Sequence, residues 1–430
     1  MRTTLKHSLK HPENFKQQLL VWAQQFDDVV WIDSNNHSGK YSNFDAVLAV
    51  DAFTSIKTDY VDAFERLNEY QQSTKDWIFG YLTYDLKNTT EALVSNNFDG
   101  LAFPDLYFFQ PKKLFLVKGD EVEIQYLKMV DDEIESDLVK IQRSNNLTVQ
   151  KSNDLIKIKL RIHKDDYFEK VNKMLAHIQR GDIYEANFCQ EFYAEDSQIN
   201  PLETFNKLNA ISKPPFATFL KLEDKYLLSA SPERYIKKEG NKVISQPIKG
   251  TAKRSEDKNE DNKLKEALSK DEKERSENIM IVDLVRNDLS HTAEKGSVKV
   301  EELCKVYTFL QVHQMISTIS SRVSENIKPI DILKTTFPMG SMTGAPKISA
   351  MKIIEELEET KRGLYSGSVG YFTPNGDFDF NVIIRSILYN ETKKYVSYSV
   401  GSAITAKSDP LKEYEECLIK AKAMREVLEN

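Results

Sequence analysis

Residues 245–252 read QPIKGTAK. Lys249 follows an apolar dipeptide and precedes a Gly-Thr turn, in a stretch that otherwise reads as the end of a buried strand. A lysine there puts an amine where burial disfavours charge. Two acidic patterns accompany it. Glu274 and Glu277 are three apart in ERSENIMIVDLVRNDL (274–289), and Glu413 and Glu416 are three apart in SDPLKEYEECLIKAKAM (408–424). Each spacing puts both carboxylates on one helix face, and Leu411, Tyr414, Leu418 and Ala421 are expected to form the more apolar side of the second helix. Two such faces meeting across a pocket would offer oxygen ligands suited to Mg²⁺ shared with an anionic substrate. Four solvated surface glutamates are the alternative, because Glu-x-x-Glu pairs are common in helices.

FPMGSMTGAPKISAMKII (337–354) is a loop dense in Gly, Ser and Thr that runs into a helix. Its expected apolar face includes Ile348, Met351 and Ile354. Backbone N–H groups at a helix N-terminus form an anion site. A simple turn before a Pro-initiated helix is the rival reading, and the G-x-x-x-x-G-K-[ST] pattern of a nucleotide P-loop is absent. Arg385 interrupts an apolar strand-like run, FNVIIRSILYN (380–390). A buried arginine needs a partner, either an internal carboxylate or one supplied by a substrate. His313 is a lone histidine in VYTFLQVHQMIST (306–318), where a satisfied core residue and a catalyst are both consistent with the pattern.

The elements that must hold these groups fall into two regions. Residues 1–145 carry a helix at 15–26, strands at 29–33 and 44–50, and strand or hairpin signals at 77–86 and 106–127. The Gly119-Asp120 pair fits a tight turn. A helix is expected at 131–142, and 153–162 opens the second region, 150–430. There, an amphipathic helix is expected over 164–182 with Gly181 at its stop. A strand follows at 183–194, a helix at 202–211 and successive antiparallel strands over 216–250. Hairpins mixed with single helices favour an α+β fold over a βαβ series. The stretch 252–278 is strongly charged and reads at first as a solvated helix or loop, before an apolar-faced helix takes over.

Bulk properties narrow the class. The chain has 430 residues and a formal net charge of -7, which argues against a protein built to hold nucleic acid. An anionic substrate would need a local positive site or a cation. Cys189, Cys304 and Cys417 lie far apart without C-x-x-C spacing, which fits a reduced, cytoplasmic protein. No signal-peptide pattern opens the sequence, and no window approaches the roughly 18 apolar residues of a membrane span.

Taken together, SASPERY (229–235), PIKGTAKR (247–254), ENIMIVDLVRNDLS (277–290), FPMGSMTGAPK (337–347), GLYSGSVGYF (363–372), FNVIIRS (380–386) and SDPLKEYEEC (408–417) occur in one order. In that order and spacing the chain resembles the chorismate-utilising enzymes over about residues 165–428. The resemblance implies one interleaved unit of two large, mainly antiparallel sheets packed as a sandwich with helices outside. It also implies roles. In that family the residue between Pro-Ile and Gly-Thr sorts the members: alanine in anthranilate, isochorismate and salicylate synthases, lysine in aminodeoxychorismate synthases. Lys249 is then expected to attack C2 of chorismate as the 4-hydroxyl leaves, before ammonia adds at C4 and expels it. Burial or cationic neighbours would lower the lysine pKa for that task. A structural ion pair with a glutamate is the alternative.

Other roles follow by position. Glu233 matches the general acid, and His313 a histidine beside the reacting ring. Glu277 and Glu416 match Mg²⁺ ligands, with Glu274 and Glu413 in support. Thr251, Gly340, Ser341, Thr343, Gly344, Tyr365, Arg385, Gly401 and Lys420 match the substrate pocket. Residues 401–404 read GSAI where GAGI or GGAI is commoner. WIDS (31–34) and PPFATFL (214–220) resemble the halves of a tryptophan pocket, which makes Asp33, Ser34, Pro215 and Phe216 its candidates. Ammonia is expected from a separate glutamine amidotransferase subunit. Anthranilate synthesis, or a catalytically silent scaffold, are the other readings.

Overall fold

The computed structural model describes residues 1–37, 39–144, 156–310 and 312–429. The boundary expected at 145–150 falls outside the described residues.

Among the described residues, strand ladders join into a 20-stranded sheet whose ladders run antiparallel. The two expected sheets are therefore two leaves of one hydrogen-bonded system. The joint is the long pair Ala46–Thr58 and Leu106–Lys118, which carries a register shift between Ala52 and Thr54. Past that joint one leaf continues through strand Asp28–Asp33, strand Phe216–Leu222 and strand Lys225–Ser231 to strand Glu185–Ala194. The other runs through strands Ile78–Leu82, Ser368–Phe372, Phe378–Val382 and Arg234–Glu239 to strand Val312–Arg322.

One core lies between the inner faces. Val30, Leu220, Leu227 and Leu388 of the first leaf pack with Phe79, Phe108, Val369 and Phe380 of the second. A second core covers the outer face of the first leaf with helices Pro12–Ala23, Lys164–Arg180, Pro201–Ser212 and Pro410–Glu429. Alternation sends successive strand side chains to these two cores. The expected hairpin turn at Gly119-Asp120 closes strands Leu106–Lys118 and Glu121–Leu127, with Gly119 at φ +60. Gly181 ends its helix at φ +85, as a left-handed stop requires.

Three expectations change. Arg385 is not in a strand; it joins strands ending at Val382 and starting at Ser386, with φ +52. In helix Lys347–Leu357, Ile348 is exposed while Ala350, Met351 and Ile354 are buried. In helix Pro410–Glu429, Leu411 and Leu418 are exposed, and the buried face is Tyr414, Cys417, Ala421 and Met424. Among the described residues no helix is long and apolar enough to cross a membrane.

Candidate active site

Strand Ile248–Lys253 pairs with strand Val312–Arg322, and its register slips between Ile248 and Thr251. The extra residue makes a bulge at Lys249-Gly250, a device that re-aims a side chain. Gly250 takes φ +97, and a Cβ there would lie 3.2 Å from side-chain atoms of Glu274 and Met315. Conformation and close approach both require glycine. Asn278 Nδ2 secures the bulge by donating to the carbonyls of Lys249 at 3.2 Å and Met315 at 3.3 Å.

The Lys249 side chain is 11% exposed, and its Nζ donates to Glu185 Oε1 at 3.0 Å. Glu185 is fully buried at the start of strand Glu185–Ala194, and its Oε2 has no hydrogen-bond partner among the described residues. Burial pushes the Lys249 pKa down, but Glu185, Glu277 and Glu233 outweigh it and hold the amine above its ordinary value. This reverses the direction expected from sequence, because carboxylates surround the lysine. The ion pair left open as an alternative exists. Its partner, Glu185, is not among the residues the sequence singles out; the signal for it is a carboxylate inside the apolar run IYEANFC.

Glu233 precedes strand Arg234–Glu239 and is 4% exposed. Its backbone is locked: its N–H donates to Ser231 Oγ at 3.2 Å, and its carbonyl accepts from Val382 N at 3.0 Å. Burial pushes its carboxyl up to about 7, against the opposing influence of the Ser341 hydroxyl, Lys249 and the Ile248 N–H. A carboxyl so placed keeps a proton near neutral pH and has a lysine for a neighbour. That is the pairing an acid-assisted displacement needs.

The two acidic helices, Glu272–Ser290 and Pro410–Glu429, do meet. Lys273 Nζ stands between them, 3.7 Å from Glu277 Oε1 and 3.8 Å from Glu413 Oε1, with Glu274 and Glu416 also acting on it. Glu277 is buried, its Oε1 lacks a hydrogen-bond partner among the described residues, and burial pushes its carboxyl up to about 7. Among the described residues no three such groups converge to metal-binding spacing. The donors nonetheless fit a hard dication: all are carboxylates, one oxygen is orphaned, and an ammonium already lies among them. Glu277 and Glu416, with Glu274 and Glu413, are the residues that would hold Mg²⁺.

The loop expected to bind substrate lies against this group. Asn187 pins it, with its Nδ2 donating to Ser341 O at 2.5 Å and its N–H to Thr343 O at 2.8 Å. Arg362 adds a bond from Nη1 to Met342 O at 2.7 Å and is itself buried against Glu358. Gly344 runs beside Ala186, so close that a Cβ would lie 2.2 Å from Glu185 O. Gly340 packs on Leu284. The Tyr365 hydroxyl is buried 3.6 Å from Cys189 Sγ. Gly401 is glycine for packing, because a Cβ would lie 2.5 Å from Cys189 Sγ. Lys420 Nζ donates to Gly401 O at 2.8 Å and pairs with Glu416 at 2.6 Å. Arg385 has no ion pair among the described residues; Tyr365 and Glu416 are the ionisable groups acting on it. Thr251 is exposed and sits opposite Gln314. His313 lies opposite Ala252, with its ring nitrogens 3.0 Å from Asp261 Oδ1 and 3.1 Å from Thr308 Oγ1. It faces the charged helix Lys258–Lys270.

A family model described as chorismate binding enzyme matches residues 18–426. The chain belongs to the chorismate-binding enzyme family. It is 35% identical over 361 residues to an anthranilate synthase component I-like protein of Synechocystis, covering 82% of this chain and 72% of that protein. Aminodeoxychorismate synthase component 1 of Salmonella typhimurium is 40% identical over 265 residues, 62% of this chain and 58% of that protein. Over the backbone, the crystal structure of anthranilate synthase component I from Streptococcus pneumoniae matches with a TM-score of 0.77 at 25% identity, covering 91% of this chain and 94% of that one.

In this chorismate-binding enzyme the two segments singled out from sequence as halves of a tryptophan pocket, 31–34 and 214–220, also meet. Asp33 pairs with Ala217, which places Asp33 and Ser34 beside Pro215 and Phe216. The Asp33 carboxylate is engaged already: Oδ1 lies 3.3 Å from Lys16 Nζ and accepts from Asn35 N at 2.8 Å. Ser34 Oγ is buried without a hydrogen-bond partner among the described residues.

Proposed function

We propose that this enzyme is the chorismate-aminating component of an aminodeoxychorismate synthase. It would replace the 4-hydroxyl of chorismate with an amine from ammonia, giving 4-amino-4-deoxychorismate for p-aminobenzoate and folate synthesis. The observation that carries this reading is Lys249, aimed by a bulge to within hydrogen-bond reach of one buried carboxylate and adjacent to another, Glu233. Lys249 supplies the nucleophile that attacks ring C2. Glu233 gives its proton to the departing 4-hydroxyl. Arg385, with no ion pair among the described residues, would take a substrate carboxylate. Bound at the glutamates of the two acidic helices, Mg²⁺ would supply positive charge for the ring carboxylate.

Ammonia would come from a separate glutamine amidotransferase subunit. The component designation of the Salmonella relative supports a second protein. The names of the Synechocystis and Streptococcus relatives favour the rival reading, anthranilate synthesis.

One experiment separates them. Purified protein is incubated with chorismate, Mg²⁺ and ammonium at mildly alkaline pH, and products are identified by mass spectrometry for wild type and Lys249→Ala. Aminodeoxychorismate from wild type, lost or replaced by another product in the variant, is expected. Anthranilate with released pyruvate from wild type would overturn the reading.

A further inference from the structure

A lysine nucleophile must first lose a proton, and the carboxylates around Lys249 hold it as an ammonium. We propose that Glu185 is the base that takes that proton before attack and returns it when the lysine is released. This rests on the reading of Lys249 as the nucleophile.

Three observations point to Glu185. Its Oε1 is 3.0 Å from Lys249 Nζ, within direct proton-transfer distance. It is fully buried, on a strand fixed on both sides by Ala345 and Thr405. Its Oε2 receives no hydrogen bond among the described residues. A carboxylate has about four acceptor sites, and those on Oε2 are untaken among the described residues.

The other acids facing Lys249 have other duties. Glu233 must arrive protonated to serve the leaving hydroxyl. Glu277 faces Lys273 and Glu274 and belongs to the candidate cation cluster. The Lys249–Glu185 pair is neutral overall with the proton on either side. When a substrate displaces water, the drier surroundings favour the uncharged amine and acid over the ion pair.

The step balances. Glu185 takes one proton from the Lys249 ammonium. The freed lone pair forms a bond to ring C2, the two ring double bonds shift, and the C4–O bond breaks. The hydroxyl leaves as water with the Glu233 proton. Ammonia then bonds at C4, the double bonds shift back, and the C2–N bond breaks with its electron pair on Lys249. The new 4-ammonium group gives its proton to Glu233, and Glu185 returns its proton to Lys249.

The test measures ammonia-dependent kinetics of the full chain with chorismate and Mg²⁺. Glu185→Gln keeps the shape but cannot accept the proton. Its kcat at pH 7.5 should fall by about 10²–10⁴-fold with chorismate KM nearly unchanged. The gap to wild type should narrow as pH rises, because hydroxide in bulk solvent takes over removal of the Lys249 proton. A Glu185→Gln enzyme within about threefold of wild-type kcat overturns the proposal. Should that variant fail to fold, Glu185→Ala is assayed with added formate: recovered amination supports the proposal, and none overturns it. Wild-type protein that makes anthranilate instead removes the parent reading, an outcome visible before any variant is compared.

Discussion

Lys273 Nζ lies 3.7 Å from Glu277 Oε1, inside a group of four glutamates contributed by two helices. This ammonium partly neutralises a cluster that would otherwise repel itself. A divalent cation binding there should stabilise the fold by mass action, about 2.7 kcal/mol at a hundred times its Kd. Thermal melts with and without Mg²⁺ should therefore show a rise of a few degrees in wild type and none in Glu277→Gln. Lys273→Met should melt lower without metal and gain more from it. Equal gains in wild type and Glu277→Gln would remove these glutamates as the cation site.

Glu233 makes a prediction about pH. Its folded carboxyl holds a proton up to about 7, whereas an unfolded glutamate releases it near 4.5. Between those values the native state binds more protons, so stability falls as pH rises through this window. The difference of roughly 2.5 units corresponds to about 3 kcal/mol. Urea unfolding of Glu233→Gln should lack that loss between pH 4.5 and 7. Its amination rate should drop about 10²–10⁴-fold, and it should lack the alkaline decline in kcat/KM expected of wild type above about pH 7. A wild-type decline that survives in Glu233→Gln would assign it to another group.

Legibility from sequence followed range. Helices and strands with clear period, such as Lys164–Arg180 or the Leu106–Leu127 hairpin, rest on local patterning, and the structure agrees within a few residues. The Glu-x-x-Glu faces were readable for the same reason, though not that Lys273 would stand between them. What escaped depends on distant partners. Glu185 lies 64 residues from Lys249, and nothing local marks it as that lysine's partner. Asn187 and Arg362 hold the substrate loop through bonds 154 and 20 residues away. The direction of the Lys249 pKa needed the count of carboxylates around it. The continuity of the two leaves needed the pairing of two 13-residue strands.

Gly344 is predicted to be indispensable for packing. A Cβ there would lie 2.2 Å from Glu185 O and 2.8 Å from Ala186 Cα, both backbone atoms that cannot swing aside. Gly344→Ala should lose about 1–3 kcal/mol of stability and shift the Glu185 strand, lowering amination as well. Gly119→Ala is the control: also a positive-φ glycine, at +60, but with nothing within 4 Å. It should lose about 1 kcal/mol or less and keep its activity. Equal losses of activity in the two variants would show that the loop does not depend on this contact.

Arg385 distinguishes a structural arginine from a substrate-binding one. Burial lowers its pKa, and no carboxylate pairs with it among the described residues. A buried arginine in an internal ion pair typically costs about 3–5 kcal/mol when removed, because its partner is left uncompensated. Arg385 leaves no such partner behind. Arg385→Met should therefore unfold at nearly the wild-type urea concentration, or slightly above it, since an uncompensated guanidinium is itself unfavourable. The cost should appear on substrate. A charge-assisted pair with a chorismate carboxylate contributes about 1.5–3 kcal/mol, so chorismate KM should rise about 10–150-fold. Arg385→Lys should recover only part of that, because an ammonium cannot make the two parallel bonds of a guanidinium. Denaturation and steady-state kinetics on the same preparations decide the matter: a large stability loss with unchanged KM would place Arg385 in the scaffold instead.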